Sequence, residues 1–416
     1  MMRSMYSAIS GLKNHQTKMD VIGNNIANVN TYGFKKGRVV FKDALYQTMK
    51  TGSAPQDNRG GTNSMSIGLG MSLGSIDTIN TPGSSQSTGK NTDLCISGNG
   101  YFIVQSGHEM LYTRSGAFDF DETGNFYALG NGALVLGWMA DPNNNWNINT
   151  DDKGNPVPIN IGGLSSLAPQ ASTAMNFTGN LDSSSADSAI VPTSKVVYDS
   201  LGNEHTIYFQ FTKTAVPNEW ECRISAEPDF STSIVTGTDP IPMEFDTSGR
   251  LVSPTGVDVE LSGISGAEDI DIDIDFSSIT QYKGESTAWA SYCDGYTSGD
   301  LRSISIDETG TIKGTFSNGQ IRDLGMVALA TFQNPAGLTN MGGSLFQVSS
   351  NSGDPNIGLP GNEDRGVLIP SNLEMSNVDL SEEFVDMITT QRGFQANSRV
   401  ITTSDQMLEE LVNLKR

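Results

Sequence analysis

The residues able to do chemistry in this 416-residue chain are few and scattered. Three histidines, His15, His108 and His205, stand apart in sequence from one another and from the three cysteines, Cys95, Cys222 and Cys293. A nucleophilic site needs a thiol or hydroxyl within hydrogen-bond reach of a base. No P-loop or His-Glu-x-x-His pattern announces one. The cysteines are odd in number, widely spaced and without a Cys-x-x-Cys pair, so they read as idle thiols rather than a disulfide framework or a zinc site. Asp271, Asp273 and Asp275 alternate with isoleucine in "IDIDIDF". That spacing puts three carboxylates on one face of a strand, but the Gly and Glu of a calcium loop are missing. A solvated face is expected. His205, in the flank of a hairpin, reads as a surface polar residue. Asn176-Phe177-Thr178 matches a glycosylation triplet, a pattern too common to carry weight. The sequence predicts no enzyme, no metal and no cofactor.

The net charge of −22 is unevenly spread. Residues 1–50 hold eight Lys/Arg against Asp20 and Asp43, which leaves a strongly acidic remainder. Nucleic acid needs a basic footprint, so it is not expected as a partner. No apolar run is long enough to cross a membrane, so no membrane insertion is expected. "MMRSMYSAISGLKNHQ" lacks the apolar core of a cleaved secretion signal, so export, if any, is expected by a route that does not need one.

The chain begins and ends with helical patterns. Met2, Met5, Ile9, Leu12, Gln16, Met19, Gly23 and Ile26 are spaced alternately three and four, a coiled-coil-like seam. Near the C-terminus Met387, Phe394, Ile401 and Leu408 recur every seven residues. Phe384, Val385, Ile388, Leu411 and Val412 are expected to widen that stripe. Ser381 is the expected N-cap, with Glu382 and Glu383 at the positive end of the dipole, and Lys415 and Arg416 are expected to close the helix. Its length would be about 35 residues, or about 50 Å. Gln391, Ser398 and Asp405 interrupt the seam, as suits a register fixed between many chains. Neither seam can be buried by its own helix.

Between the ends, strand and hairpin signals dominate. "FDFDETGNFYAL" and "SISIDETGTIKGTF" both read strand, Asp-Glu-Thr-Gly turn, strand. "VVYDSLGNEHTIYFQF" is a further hairpin. Gly- and Ser-rich stretches mark boundaries. The expected fold is mostly β: nested discontinuous β-domains flanked by N- and C-terminal helices that pair as a coiled coil. The expected division is a terminal helical domain (1–30 and 376–416), an extended linker (31–70), an outer β-domain (71–168 and 284–375) and an inserted outermost β-domain (169–283).

The stretch "NNIANVNTYGFKK" closes the first helical pattern in a run of asparagines. It resembles the N-terminal signature of the bacterial flagellar rod and hook proteins, Asn-x-x-Asn-Val-Asn-Thr-x-Gly-Phe-Lys. "QRGFQANSRVITTSDQMLEELVNLKR" resembles the matching C-terminal signature, and its Gly-Phe-Gln-Ala-Asn form and Asn-Leu-Lys-Arg ending are similar to the hook branch. "YDSLGNEH", "NPAGL", "LGMVALATF" and "LEMSNVDLSEEF" are similar to hook-protein blocks. The likeness thins out between about residues 226 and 268.

The resemblance implies a structural subunit of the flagellar hook, a hollow curved helical polymer that joins rod to filament as a universal joint. It implies extracellular placement and export through the flagellar type III apparatus. Its implied partners are further copies of itself, rod and hook–filament junction proteins, and a hook cap. The terminal helices would line the inner tube. Rival readings are the distal rod protein and, more remotely, an adhesin-like β-protein. Subunit contacts are expected from Met5, Ile9, Leu12, Met19, Ile26, Phe384, Met387, Phe394, Ile401 and Leu408. Asn24, Asn28, Asn30, Gly33 and Phe34 are expected to join them as the helix gives way to the linker. Asn24, Asn25, Asn28 and Asn30 would satisfy backbone groups there, and Gly33 would take a positive φ. The ends are expected to be disordered in the monomer and to become helical on polymerisation.

Overall fold

The computed structural model describes residues 2–55, 60–144, 146–149, 156–236, 238–262, 266–362 and 364–414. The chain is mostly β, with one long helix at each end: α1 (Met2–Ala27) and α2 (Leu380–Asn413). It divides into two units. A terminal unit comprises residues 1–162, 304–313 and 323–416, and an inserted unit comprises residues 163–303 and 314–322.

In the terminal unit, α1 is followed by four strands: β1 (Gly37–Asp43), β2 (Tyr46–Lys50), β3 (Met65–Gly68) and β4 (Met71–Thr78). β1 pairs antiparallel with β4, and β2 with β3. Residues 31–70, read from sequence as an extended linker, thus contain most of a long two-stranded ribbon. The body of the unit continues through β5 (Ser85–Ser87), β6 (Leu94–Ser97), β7 (Tyr101–Ser106) and β8 (Glu109–Thr113). β7 and β8 form a hairpin, extended by Leu345–Gln347 on one side and by Leu134–Asp141 and Leu329–Thr331 on the other. Tyr101, Ile103, Tyr112, Leu136, Trp138, Phe332 and Phe346 make one core there. Their β-branched and aromatic character suits a pleated surface buried on one face.

The inserted unit has two sheets. One is four-stranded, in the order Gly256–Leu261, Ile270–Thr280, Ala174–Asn180, Trp289–Cys293. The other is a five-stranded antiparallel meander over Ile190–Tyr198, Glu204–Lys213, Glu219–Ser225, Ile241–Phe245 and Leu251–Ser253. Phe177, Phe209, Phe211, Trp220 and Phe276 join residues of both sheets in one core. Ile270–Thr280 alternates buried Ile with exposed Asp over its first half, as the period of two requires.

Four of the hairpins share one local device. Asp121, Asp199, Asp246 and Asp307 each open a five-residue turn with Gly in fourth place. The carboxylate accepts the amides two and four residues on, as in Asp199 with Leu201 (2.9 Å) and Asn203 (2.9 Å). Asp121 does so with Thr123 and Asn125, Asp246 with Ser248 and Arg250, and Asp307 with Thr309 and Thr311. Gly124, Gly202, Gly249 and Gly310 all lie at positive φ, where other residues are strained. The Asp side chain mimics a backbone turn, and the Gly closes it.

Candidate assembly site

The C-terminal helix starts at Asp379, whose side chain accepts from the Ser381 amide (2.8 Å) and the Glu382 amide (3.4 Å). The cap is therefore two residues earlier than the expected Ser381, because carboxylates cap as well as hydroxyls. Glu382 and Glu383 do fall in the first turn. Lys415 and Arg416 lie outside the described residues.

α1 and α2 run antiparallel along one another. Asn25 Nδ2 donates to Glu383 at 3.1 Å, and Lys18 pairs with Asp386 at 3.1 Å. Farther along, a Cβ on Gly393 would lie 2.9 Å from the His15 ring, and one on Gly11 would lie 2.7 Å from Asn397. The glycines are what let each large polar side chain seat against the opposite backbone. The buried positions of α1 are Ala8, Gly11, Ile22 and Asn25; those of α2 are Glu383, Thr390 and Ser404.

This corrects the expected seam. On α1 the inward line is one residue earlier than the apolar series, a rotation of about 100°. Met5, Leu12, Met19 and Ile26 are half-buried, whereas Met2, Ile9, Gln16 and Gly23 are exposed. On α2 the series Met387, Phe394, Ile401 and Leu408 is half-buried. Its neighbours in the seam are the buried Glu383, Thr390 and Ser404, not Gln391, Ser398 and Asp405, which are exposed. Phe384, Val385, Ile388, Leu411 and Val412 do not widen the seam; they face outward, with Phe384 50% and Ile388 51% exposed. The two-helix contact seats polar side chains against glycines inside and leaves several large apolar side chains outside.

The asparagine run divides by position. Asn25 is buried and clamps Gly37 from both sides, donating to its carbonyl at 2.9 Å and accepting its amide at 3.0 Å. Asn28 is half-buried and bonds the Asn24 carbonyl at 2.9 Å. Asn24 and Asn30 are exposed. Gly33 is buried with φ 68°, and its amide donates to the Glu374 carbonyl at 2.8 Å. Phe34 is half-buried. The loop thus turns α1 into β1 with its backbone satisfied from within the chain.

Behind Gly33 lies an ionic cluster that sequence spacing did not reveal. Glu374, 1% exposed, accepts from Lys35 Nζ at 2.6 Å, from Arg114 at 3.4 Å and from the Gly83 amide at 2.9 Å. Burial pushes the Lys35 pKa down, against the pull of Glu374. Asn377 ties the same corner together, accepting the Lys36 amide at 2.8 Å and donating to the Ile79 carbonyl at 2.8 Å. Both members of the Lys35–Glu374 pair stand in blocks already singled out, "NNIANVNTYGFKK" and "LEMSNVDLSEEF". Separation in sequence hid their pairing.

A cleft of about 670 Å³ beside Tyr101, Arg114, Phe332, Asp354 and Asp364 has no His, Cys or Ser among the described residues of its lining. Burial pushes the Cys95 thiol up to about 11, which keeps it protonated and unreactive. His205 instead leans on the Asp199 turn, its Nε2 3.2 Å from the carboxylate. Among the described residues no group of three or more His, Cys, Asp or Glu could hold a metal.

Four family models match the chain. They are the flagella basal body rod protein (residues 5–35), the flagellar hook protein FlgE/F/G D1 domain (95–163), the flagellar basal body protein FlaE D2 domain (168–296) and the flagellar basal body rod FlgEFG protein C-terminal region (369–414). The flagellar hook protein FlgE of Borreliella burgdorferi is 42% identical, and that of Treponema pallidum 38%, each over 100% of both chains. The flagellar basal-body rod protein FlgG of Bacillus subtilis is 33% identical, also over 100% of both chains. With hook-protein likeness from end to end and an apolar-outside helix pair at its termini, the chain belongs to the flagellar hook protein family.

Proposed function

We propose that this chain is the repeating subunit of the flagellar hook, a curved hollow helical polymer acting as a universal joint between rod and filament. One observation carries the reading: the terminal unit presents apolar surface that a lone chain leaves in water. Phe384, Val385, Ile388 and Leu411 line the outer side of α2, and Met2, Tyr6 and Ile9 that of α1. The ribbon adds Tyr46, Met49, Met65 and Ile67, with every residue of β2 and β3 exposed. An isolated two-stranded ribbon is marginal in water, as is a helix without a covered face. Covering each large side chain contributes about 1.5–3 kcal/mol. Further copies of the chain are the covering surface, so Met5, Ile9, Leu12, Met19, Ile26, Phe384, Met387, Phe394, Ile401 and Leu408 serve contacts within and between subunits.

Rod proteins, junction proteins and a hook cap meet the polymer at its ends, and the chain leaves the cell unfolded through the flagellar export apparatus. The full-length match to a rod protein keeps the rod as the second reading. Electron microscopy of polymer grown from the purified chain tests both. Curved tubes are expected; straight tubes would favour the rod, and failure to polymerise would sink both. Phe384→Asp should block tube growth while leaving the inserted unit folded.

A further inference from the structure

Glu374 ends the strand Asn372–Glu374, just before the chain leaves for α2. Two cations converge on this one buried carboxylate, and they are held very differently. Arg114 is anchored in the body: its Nη2 donates to the Gly98 carbonyl at 2.8 Å, and its guanidinium lies 5.3 Å from the centre of the Tyr101 ring. Lys35 belongs to the loop between α1 and β1, and its other bond is to the Thr81 carbonyl at 2.9 Å. A single cation suffices to balance a carboxylate, and a buried ammonium that finds a way back to water regains its hydration.

We propose that Glu374 is a clasp with one permanent and one releasable partner. Arg114 always neutralises it. Lys35 joins only when the N-terminal arm, meaning α1, the asparagine loop and the ribbon, is seated on the body. The arm can then detach without stranding a buried charge. Gly33 makes the seat selective, because its Cβ-less backbone lies directly against the Arg114–Ser115 peptide. Burial lowers the Lys35 pKa against the pull of Glu374, and the nearby Arg114 adds to the lowering. The clasp works within one chain, and polymerisation is not part of its test.

Hydrogen exchange on the full-length monomer, resolved by segment, reads arm and body separately. Lys35→Met should speed exchange in α1 and β1 at least tenfold while β7 and β8 stay protected. Arg114→Met should speed exchange in β7 and β8 with the arm still held by Lys35. The double variant should lose more body protection than the two single losses combined, because Glu374 is then buried alone. Adding Glu374→Gln to the double variant should restore much of that loss. The clasp is overturned if Lys35→Met leaves the arm protected, or opens arm and body equally. It is also overturned if Arg114→Met frees the arm, or if the double variant is merely additive. Should Arg114→Met fail to fold, Lys35→Met alone, read on arm and body, decides.

Discussion

The inserted sandwich and the terminal helix pair are built on opposite plans. The sandwich hides Phe177, Phe209, Phe211, Trp220 and Phe276 and shows carboxylates. It even sets like charges directly across its strands: Asp258 opposite Asp273, Glu260 opposite Asp271, and Glu219 opposite Glu244. Such pairs are destabilising, and a complete apolar core tolerates them. The helix pair instead holds Gly11, His15, Lys18, Asn25, Glu383 and Gly393 inward and turns Phe384, Val385 and Ile388 outward. One region finishes its core within a single chain. The other leaves large apolar side chains in water, which the proposed polymer would cover.

The largest test of that contrast is Phe177→Ala. Its ring packs 4.6 Å from Phe209 and 5.1 Å from Phe276, and its loss should destabilise the sandwich by about 3–5 kcal/mol. Denaturant unfolding followed by Trp220 fluorescence should register the drop, with helix content at low denaturant unchanged. A parallel loss of helix would mean that the two regions fold as one.

Gly33→Val strikes the other region. The φ of 68° strains a branched residue, and its Cβ would lie 2.5 Å from the Ser115 amide nitrogen. The conformational part alone costs about 1–3 kcal/mol. Protease should reach α1 sooner while the melting of the sandwich stays put. Resistance equal to that of the parent chain would show that the loop seats otherwise.

Acid should separate the regions next. Burial, and then Lys18, lower the pKa of His15 below its usual 6.5. The neutral ring is the one that fits, so helix-pair stability is present above pH 6.5 and is lost as pH falls through the lower folded value. Burial opposes ionisation of Asp199, but bonds from Asn203 and His205 outweigh it and hold its pKa well below 3.8. The sandwich therefore keeps that contribution above 3.8 and loses it only in stronger acid. Circular dichroism of the monomer from neutral to mildly acid pH should show the helix signal weakening first, and His15→Gln should flatten that response. Simultaneous loss of both regions would erase the distinction.

The smallest effect belongs to the half-buried Lys18–Asp386 pair. Asp386→Asn should shift helix-pair stability by no more than about 1 kcal/mol, less at high salt. A larger shift would mean that the pair is shielded by its surroundings.

Turn chemistry and strand alternation were legible in the sequence because they are local. Asp-Glu-Thr-Gly carries its own hydrogen-bond acceptor and its own positive-φ residue, and "IDIDIDF" writes its two faces in alternation. The seven-residue repeat from Met387 to Leu408 was legible for the same reason. The side of each helix that its partner covers was not. Periodicity marks an apolar stripe but not its occupant, and the stripe on α1 proved to lie one residue from the seam. Asn25 stood in a recognised run, yet its bonds to Gly37 and Glu383 need the loop folded back.

The sequence by itself determined a mostly β chain with a helix at each end, its hairpin turns, and its membership of the hook family. Those follow from short-range patterns and from blocks spread along the whole length. Only the tertiary structure decided which residues of the two ends meet. Lys35 and Glu374 lie 339 positions apart, and no local propensity couples them. Their pairing exists because a carboxylate held at 1% exposure must find cations wherever the fold brings them.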